Sequence, residues 1–127
     1  MDALPKILHV DDDLFIREIV RICLESVGGL AVEQCASGYE ALERAPEVQP
    51  DLFLLDVMMP DMSGEDTLVA LRALPEFATT PVIFLTALAH PAEIRKLTQA
   101  GAVGVITKPF DPMTLSTQVL ELWRSAL

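Results

Sequence analysis

The amino-acid sequence predicts an α/β fold: a doubly wound, five-stranded parallel sheet flanked by five helices. Three observations predict it, namely short continuous apolar runs, amphipathic helical segments between them, and the alternation of the two along the chain. Strands that are buried on both faces of a parallel sheet lack the apolar–polar alternation of half-exposed strands. Right-handed crossovers between successive strands would place helices on both faces of such a sheet.

The strands are predicted from apolar runs of four or five residues. The clearest runs are residues 7–10, 52–55 and 81–85, and the weaker candidates are residues 31–35 and 103–107. Each run is too short for an isolated helix. We therefore expect all five runs to belong to one sheet.

The helices are predicted from apolar residues at helical spacing and from residues typical of helix ends. The first helix has an apolar stripe along one face, formed by Ile16, Ile19, Val20, Cys23, Leu24 and Val27. Further helices are expected after the cap Ser37, over residues 64–74 and 91–100, and from Asp111-Pro112 onward. The last of them is expected to bury Leu115, Val119, Leu122 and Trp123.

Composition and charge limit the domain count and the partners. The chain has 127 residues, of which 51% are hydrophobic, so we expect a single domain over 1–127 with its core at about 6–126. Nine basic and 19 acidic residues give a formal charge of −10 at pH 7. That charge does not suit a surface for nucleic acid or anionic lipid.

The sequence has no apolar run of bilayer length and no signal pattern, so we expect no membrane contact and a cytoplasmic location. In that location we expect reduced thiols at Cys23 and Cys35.

Polar side chains follow four of the predicted strands at the point where each strand ends. Asp11 and Asp12 follow the first strand, Asp56 the third, Thr86 the fourth, and Lys108 lies at the end of the fifth. In an open α/β sheet the ligand site lies outside the carboxyl ends of the strands. We therefore expect these five side chains to converge on one site.

The acidic residues of this group predict a bound divalent cation. Carboxylates at close range repel one another and raise each other's pKa unless a cation joins them. Mg²⁺ fits better than Ca²⁺, because it commonly uses one or two carboxylates, keeps several waters and leaves a position for a phosphate oxygen. Lys108 offers a compact positive charge and Thr86 a hydroxyl donor for phosphoryl oxygens. The residues thus favour phosphoryl transfer onto Asp56.

Four fragments, in chain order, carry a resemblance to a known family. They are residues 7–13 (ILHVDDD), residues 56–64 (DVMMPDMSG), Thr86-Ala87 and Lys108-Pro109-Phe110. Together they resemble the receiver domain of response regulators in two-component signalling, from about Lys6 to the final helix. The resemblance implies a flavodoxin-like strand order of 2-1-3-4-5. It also implies a phosphoacceptor that assists its own phosphorylation and dephosphorylation without being a turnover enzyme.

The resemblance also implies roles for individual residues. Asp56 would be the phosphoacceptor, Asp12 a direct Mg²⁺ ligand, Asp11 a ligand through water, and the backbone carbonyl of Met58 a further ligand. Lys108 would contact the phosphoryl group, and its bond to Pro109 would be cis. Two neighbouring polar residues are expected to be structural. Asp13 would cap the first helix, and His9 would be a core or rim histidine with satisfied hydrogen bonds.

The phosphorylation switch is expected to involve Thr86 and Ile106. Thr86 would move toward the phosphoryl group, and family members commonly have an aromatic residue at the position of Ile106 whose rotamer follows that movement. Isoleucine has a stiff χ1 and no ring, so the usual rotamer change has no equivalent here. The alternative function is therefore a binding module of receiver shape that phosphorylation does not control.

The partners follow from the same resemblance. The phosphodonor would be a phosphohistidine on a histidine kinase or a histidine phosphotransfer protein, and the output an unidentified downstream protein. Docking is expected on the first helix near Phe15, Ile16 and Ile22, because Phe15 and Ile22 fall off the core stripe. The apolar side chains of Met58 and Leu88 cannot hydrogen-bond an attacking water, so we expect slow self-dephosphorylation.

Two other classes of protein share part of this pattern. Haloacid dehalogenase-like phosphatases also form an aspartyl phosphate, but their Asp-x-Asp motif follows the first strand. Here the acceptor follows the third strand, and two residues later stands Met58, which is not a general acid. A flavodoxin-like electron carrier would need a phosphate loop after the first strand, where Asp11, Asp12 and Asp13 would repel the FMN phosphate.

Overall fold

A parallel sheet of five strands forms the centre of the molecule. The computed structural model describes residues 4–87 and 90–127. Its strands are β1 (Lys6–Val10), β2 (Ala31–Cys35), β3 (Leu52–Leu55), β4 (Val82–Thr86) and β5 (Gly104–Thr107). They pair in parallel in the order β2-β1-β3-β4-β5. The predicted fold class and strand order are confirmed, and each strand begins and ends within one residue of the apolar run that predicted it.

Helices connect the strands. They are α1 (Leu14–Arg21), which continues directly into a π-helical segment (Ile22–Val27), then α2 (Gly38–Val48), α3 (Gly64–Arg72), α4 (Pro91–Gln99) and α5 (Leu115–Ser125), with a 3-10 turn at Pro75–Phe77. Two predicted caps are confirmed. Asp13 Oδ1 accepts from the backbone N–H of Phe15 at 2.8 Å, and Ser37 Oγ accepts from that of Glu40 at 3.1 Å. Within the described ranges, no helix has the length and hydropathy that a bilayer span requires.

The sheet separates two hydrophobic clusters. One contains α2, α3 and α4 against Leu8, Val10, Phe53, Leu55, Val82 and Phe84. The other contains α1, the π-helical segment and α5 against Ile7, Leu52, Leu54, Ile83 and Leu85. Burial on both faces explains the continuous apolar runs. Cys35 belongs to the first cluster and Cys23 to the second, and both are free and buried, as predicted.

The structure corrects three expectations about helices. Val27 is 45% exposed instead of lying on the core stripe, because i→i+5 winding after Arg21 shifts the side chains out of the 3.6-residue phase. The last helix begins at Leu115 and not at Asp111: Asp111 Oδ1 accepts from the N–H of Met113, as a capping side chain does, but residues 112–114 form turns before the regular helix. Leu122 is half-buried, and its side chain covers Gly104, where a Cβ would lie 2.5 Å from Leu122 Cδ1.

The π-helical segment and α5 pack closely on the second face, through a glycine and a serine. Gly28 follows the π-helical segment and packs against Ser116 of α5. A Cβ at Gly28 would lie 2.5 Å from Ser116 Cβ, closer than any normal contact. Only glycine therefore fits between these elements at their present separation.

Candidate functional site

The carboxyl edge of the sheet brings three acidic side chains together. Strands β1 and β3 are neighbours with Val10 opposite Leu55, so the residues that follow them, Asp11 and Asp56, are neighbours too. The backbone N–H of Asp56 donates to the carbonyl of Val10 at 2.9 Å, which extends the pairing by one residue. Carboxylate oxygens of Asp11, Asp12 and Asp56 all lie within 4.8 Å of one another. This spacing suits a cation with oxygen ligands.

Lys108 reaches this acidic cluster from the end of β5. Its Nζ lies 2.8 Å from Asp11 Oδ2 and 3.5 Å from Asp56 Oδ1. Asp11 is fully buried and Asp56 is 6% exposed, whereas Asp12 is exposed. One lysine thus faces two buried carboxylates, with a third carboxylate at the mouth of the site.

The ionisation of the cluster reflects its surplus of negative charge. Burial, followed by the charge of Asp11, raises the pKa of Asp56 to about 6, although Lys108 acts in the opposite direction. Burial alone would lower the pKa of Lys108, but its hydrogen bond to Asp11 and the charges of Asp11 and Asp56 raise it instead. Lys108 therefore stays protonated without fully compensating the carboxylates.

The ends of β4 and β5 are joined beside this cluster. The backbone N–H of Lys108 donates to the carbonyl of Thr86 at 2.8 Å, and Thr86 is 1% exposed. The peptide bond from Lys108 to Pro109 is cis, as predicted. Ile106 is 5% exposed and belongs to the cluster with α1 and α5. Its side chain is thus part of the core.

The loop after β3 depends on a glycine for its shape. The N–H of Gly64 donates to the carbonyl of Val57 at 2.8 Å. A Cβ at Gly64 would lie 2.0 Å from the backbone oxygen of Asp56. The start of α3 therefore packs directly on the backbone of Asp56 and helps to fix its position. Within this loop Asp61 has φ of 68°, which aspartate tolerates better than most residues.

The structure brings together Asp11, Asp12, Asp56 and Lys108 as the sequence predicts, and it places Thr86 at the end of the strand beside β3. The side chain of Met58 is 66% exposed in the loop that follows Asp56. Leu88, the other residue that we associate with phosphoryl lifetime, lies outside the described residues. Four of the five side chains expected to converge therefore have direct geometric support.

The sequence predicts the burial of His9 correctly but not its hydrogen bonding. It is a fully buried core histidine, but the expectation that its hydrogen bonds are satisfied is wrong. Its Nδ1 lies 3.1 Å from Gln34 Nε2, whereas among the described residues its Nε2 has no hydrogen-bond partner. That Nε2 lies 4.0 Å from Asp11 Oδ2. The available signal was a lone polar residue inside an apolar strand, two positions before an acidic pair.

The strand order, the acidic cluster and the lysine are the features expected of a receiver-type signalling module. Comparison with known proteins identifies the family. The family model described as "Response regulator receiver domain" matches residues 7–120. The chain belongs to this family, whose members act as signalling modules in two-component systems.

Individual relatives agree with the assignment. The chain is 36% identical over 121 residues to the DNA-binding dual master transcriptional regulator RpaA of Synechocystis, covering 95% of the chain and 50% of that protein. It is 38% identical over 121 residues to the transcriptional regulatory protein ResD of Bacillus subtilis, covering 95% of the chain and 49% of that protein. The chain thus spans about half the length of these relatives. The crystallised chemotaxis protein CheY4 of Vibrio cholerae superposes with a TM-score of 0.86 at 35% identity, covering 94% of the chain and 99% of that protein.

Proposed function

We propose that this receiver accepts a phosphoryl group on Asp56, from a phosphohistidine of a histidine kinase or histidine phosphotransfer protein, and thereby changes its affinity for a downstream protein. The observation that carries the proposal is the contact of Lys108 with both Asp11 and Asp56 inside a cluster of three carboxylates. A structural ion pair would need one carboxylate, whereas phosphoryl transfer needs an acceptor, a cation site and a compensating positive charge.

The residues present can perform the acceptor chemistry. A carboxylate oxygen of Asp56 attacks the phosphorus, and the P–O bond forms as the P–N bond to the donor imidazole breaks, with the electron pair left on that nitrogen. Lys108 Nζ, 3.5 Å from Asp56 Oδ1, is close enough to follow the incoming phosphoryl oxygens. Thr86, buried at the end of β4, would donate its hydroxyl to another of these oxygens.

The donor set also fits Mg²⁺. Asp11, Asp12 and Asp56 supply hard oxygen atoms within 4.8 Å of one another, and the raised pKa of Asp56 reflects negative charge that Lys108 does not compensate. The backbone carbonyl of Met58 would complete the protein ligands. When bound, the ion would neutralise charge on the phosphoryl oxygens in the transition state.

The docking surface proposed for the phosphodonor is the exposed side of α1 and its π-helical continuation. Leu14, Phe15 and Ile22 are 61%, 75% and 57% exposed. Large apolar side chains that remain in solvent suit a site for a partner helix. Ile16, in contrast, is only partly exposed because it packs against the core.

Acetyl phosphate with Mg²⁺ tests the acceptor assignment. We expect the wild-type chain to gain one phosphoryl mass and the Asp56→Asn variant to gain none, because the amide is not a nucleophile of comparable strength. Asp61→Asn is the matched control, since Asp61 is exposed in the same loop and asparagine tolerates its positive φ. Phosphorylation of the Asp56→Asn variant at the wild-type rate would exclude Asp56 as the acceptor.

The lifetime of the phosphoryl group gives a second prediction. Met58→Asn introduces a hydrogen-bonding side chain beside Asp56, so we expect the half-life of the phosphorylated protein to fall about fivefold. Met113→Asn is the control, because Met113 is 70% exposed, similar to the 66% of Met58, but lies before α5. The decay of the phosphorylated species is followed by mass spectrometry after removal of the donor. An unchanged half-life in the Met58→Asn variant would argue against control by this position.

The switch itself is proposed to run from Thr86 to the buried Ile106. Since Ile106 is 5% exposed and carries no ring, phosphorylation would repack it within the core of α1 and α5 instead of exchanging an exposed and a buried aromatic. The alternative, a binding module that phosphorylation does not control, predicts the same partner affinity for the wild-type protein before and after acetyl phosphate treatment.

A further inference from the structure

His9 lies at the inner end of a polar network that connects β1, β2 and α1. The residue opposite it on β2 is Gln34, and Gln34 Nε2 contacts His9 Nδ1 at 3.1 Å. The same amide nitrogen donates to the carbonyl of Arg17 in α1 at 2.6 Å. The amide oxygen of Gln34 accepts from Arg21 Nε at 3.2 Å. The network therefore runs from two residues of the first helix to the imidazole ring.

These contacts fix which ring nitrogen of His9 carries the proton. Arg21 Nε can only donate, so the atom of Gln34 that faces it must be the oxygen. The amide nitrogen then faces His9 and donates to Nδ1, which must be the unprotonated nitrogen. A ring whose Nδ1 accepts a hydrogen bond is the neutral imidazole. Its hydrogen is therefore on Nε2, which lies 4.0 Å from Asp11 Oδ2.

The carboxylate of Asp11 is held by other donors in this structure. Its Oδ1 accepts from the backbone N–H of Asp13 at 2.9 Å, and its Oδ2 accepts from Lys108 Nζ at 2.8 Å. Lys108 also lies 3.5 Å from Asp56 Oδ1, so a phosphoryl group on Asp56 would draw the ammonium group toward itself. Asp11 would then lose the Lys108 ammonium group while remaining fully buried, and a further donor beside the water of the cation site would lower that cost.

We infer that His9 is a positioning residue for Asp11: its Nε2–H, held in place by Gln34, donates to Asp11 Oδ2 when Lys108 turns to the phosphoryl group. The inference rests on the proposed function, because it needs the phosphorylated state. It also gives the unsatisfied nitrogen a partner once the 4.0 Å distance between His9 Nε2 and Asp11 Oδ2 shortens to that of a hydrogen bond. The first helix, which carries the proposed docking surface, would be linked in this way to the geometry of the cation site.

The imidazole nitrogens of His9 provide a test that needs no variant. A long-range ¹H–¹⁵N spectrum of the metal-free wild-type protein is expected to give the Nε2–H tautomer. Addition of Mg²⁺ with beryllium fluoride, an analogue of the phosphoryl group, is expected to move the Nε2 resonance as the hydrogen bond forms. The Nδ1–H tautomer, or an unchanged Nε2 resonance in the complex, would overturn the inference.

Variants measure the contribution of the hydrogen bond. We expect His9→Leu to weaken the binding of beryllium fluoride in the presence of Mg²⁺ about tenfold, as measured by titration calorimetry, because Asp11 loses a donor. His9→Gln keeps an N–H donor and is expected to stay within about threefold of the wild type. His90→Leu is the same exchange at an exposed histidine and is expected to leave the affinity unchanged.

The outcomes separate the two proposals. If the wild-type protein binds beryllium fluoride and both His9 variants bind it equally well, the positioning role is wrong and the proposed function stands. If the wild-type protein does not bind it, the proposed function fails and the positioning role fails with it. A loss in both His9 variants to the same extent would point to packing in β1 instead of the hydrogen bond, and would also overturn the inference. Urea unfolding of each variant checks that the sheet is intact.

Discussion

Gly64→Ala is expected to lower the free energy of unfolding by about 3 kcal/mol, because overpacking against backbone has no flexible side chain to absorb it. The added Cβ would lie 2.0 Å from the backbone oxygen of Asp56 and 3.0 Å from Val57 Cα. To remove the clash, the start of α3 must move away from the end of β3. Since that contact also positions Asp56, we expect slower phosphorylation by acetyl phosphate in the same variant.

Urea unfolding checks the stability effect, with Gly29→Ala as the matched control. Gly29 has φ of 69° and open space where a Cβ would be, so alanine there meets conformational strain without a clash and is expected to cost about 1 kcal/mol. The comparison separates steric overlap from backbone preference. A loss below 1 kcal/mol at Gly64 would contradict the close approach of α3 to the acceptor.

Asp56→Asn is expected to stabilise the metal-free protein by about 2 kcal/mol at pH 7. The pKa of Asp56 is raised from its ordinary value of 3.8 to about 6 by burial and by Asp11, so keeping it ionised at neutral pH opposes folding. The full shift corresponds to about 3 kcal/mol, and we expect less because solvent at the mouth of the site screens the charge. Asparagine removes this cost and retains the shape of the side chain.

The greater stability of the Asp56→Asn variant should disappear as the pH falls. Between about pH 6 and 3.8 the folded wild-type protein takes up a proton at Asp56 while the unfolded chain remains ionised, so protonation favours the folded state. Below 3.8 both states are protonated and the variant loses its advantage. Urea unfolding in EDTA at pH 7 and pH 5 measures the difference, with Asp61→Asn as the control that should change little. Equal stability of wild type and Asp56→Asn at pH 7 would contradict the raised pKa.

Magnesium should make the wild-type protein more stable than the Asp56→Asn variant, because the ion binds the folded wild-type protein. A ligand that binds only the folded state stabilises it in proportion to the logarithm of its concentration over the dissociation constant. We therefore expect Mg²⁺ to raise the unfolding midpoint of the wild type more than that of Asp56→Asn, which has lost one ligand oxygen. An equal rise in both proteins would mean that Asp56 does not contribute to the cation site.

Much of the fold and of the site can be predicted from the sequence for two physical reasons. Double burial turns each strand into a continuous apolar run, as in Leu52–Leu55, and parallel winding sends the residues after each run to one edge of the sheet. Asp11, Asp56 and Lys108 could therefore be assigned to one site before any contact was known. The cap at Asp13 depends on neighbouring residues alone, which is why it too was predictable.

The features that the sequence did not predict are two changes of helix geometry and one contact between neighbouring strands. The π-helical winding that exposes Val27 changes the phase of a helix, and a pattern search at 3.6 residues per turn does not detect it. Asp111 makes its capping bond to Met113, but residues 112–114 form turns and the regular helix begins only at Leu115. Which nitrogen of His9 lacks a partner depends on the orientation of the Gln34 amide on the neighbouring strand β2. No residue near His9 in the sequence determines that orientation.

The close packing of Gly28 on Ser116 has a mechanical consequence. A Cβ at that glycine would lie 2.5 Å from Ser116 Cβ, so the backbone at the end of the first helical element packs directly on the short side chain of Ser116 in α5. A protein that tilts the first helix on binding must therefore displace α5 as well. Any ligand bound to α5 would resist that tilt, and by thermodynamic reciprocity the two binding events are expected to alter each other's affinity. Competition or cooperation between successive partners would then be a property of this contact between Gly28 and Ser116, independent of the chemistry at the sheet edge.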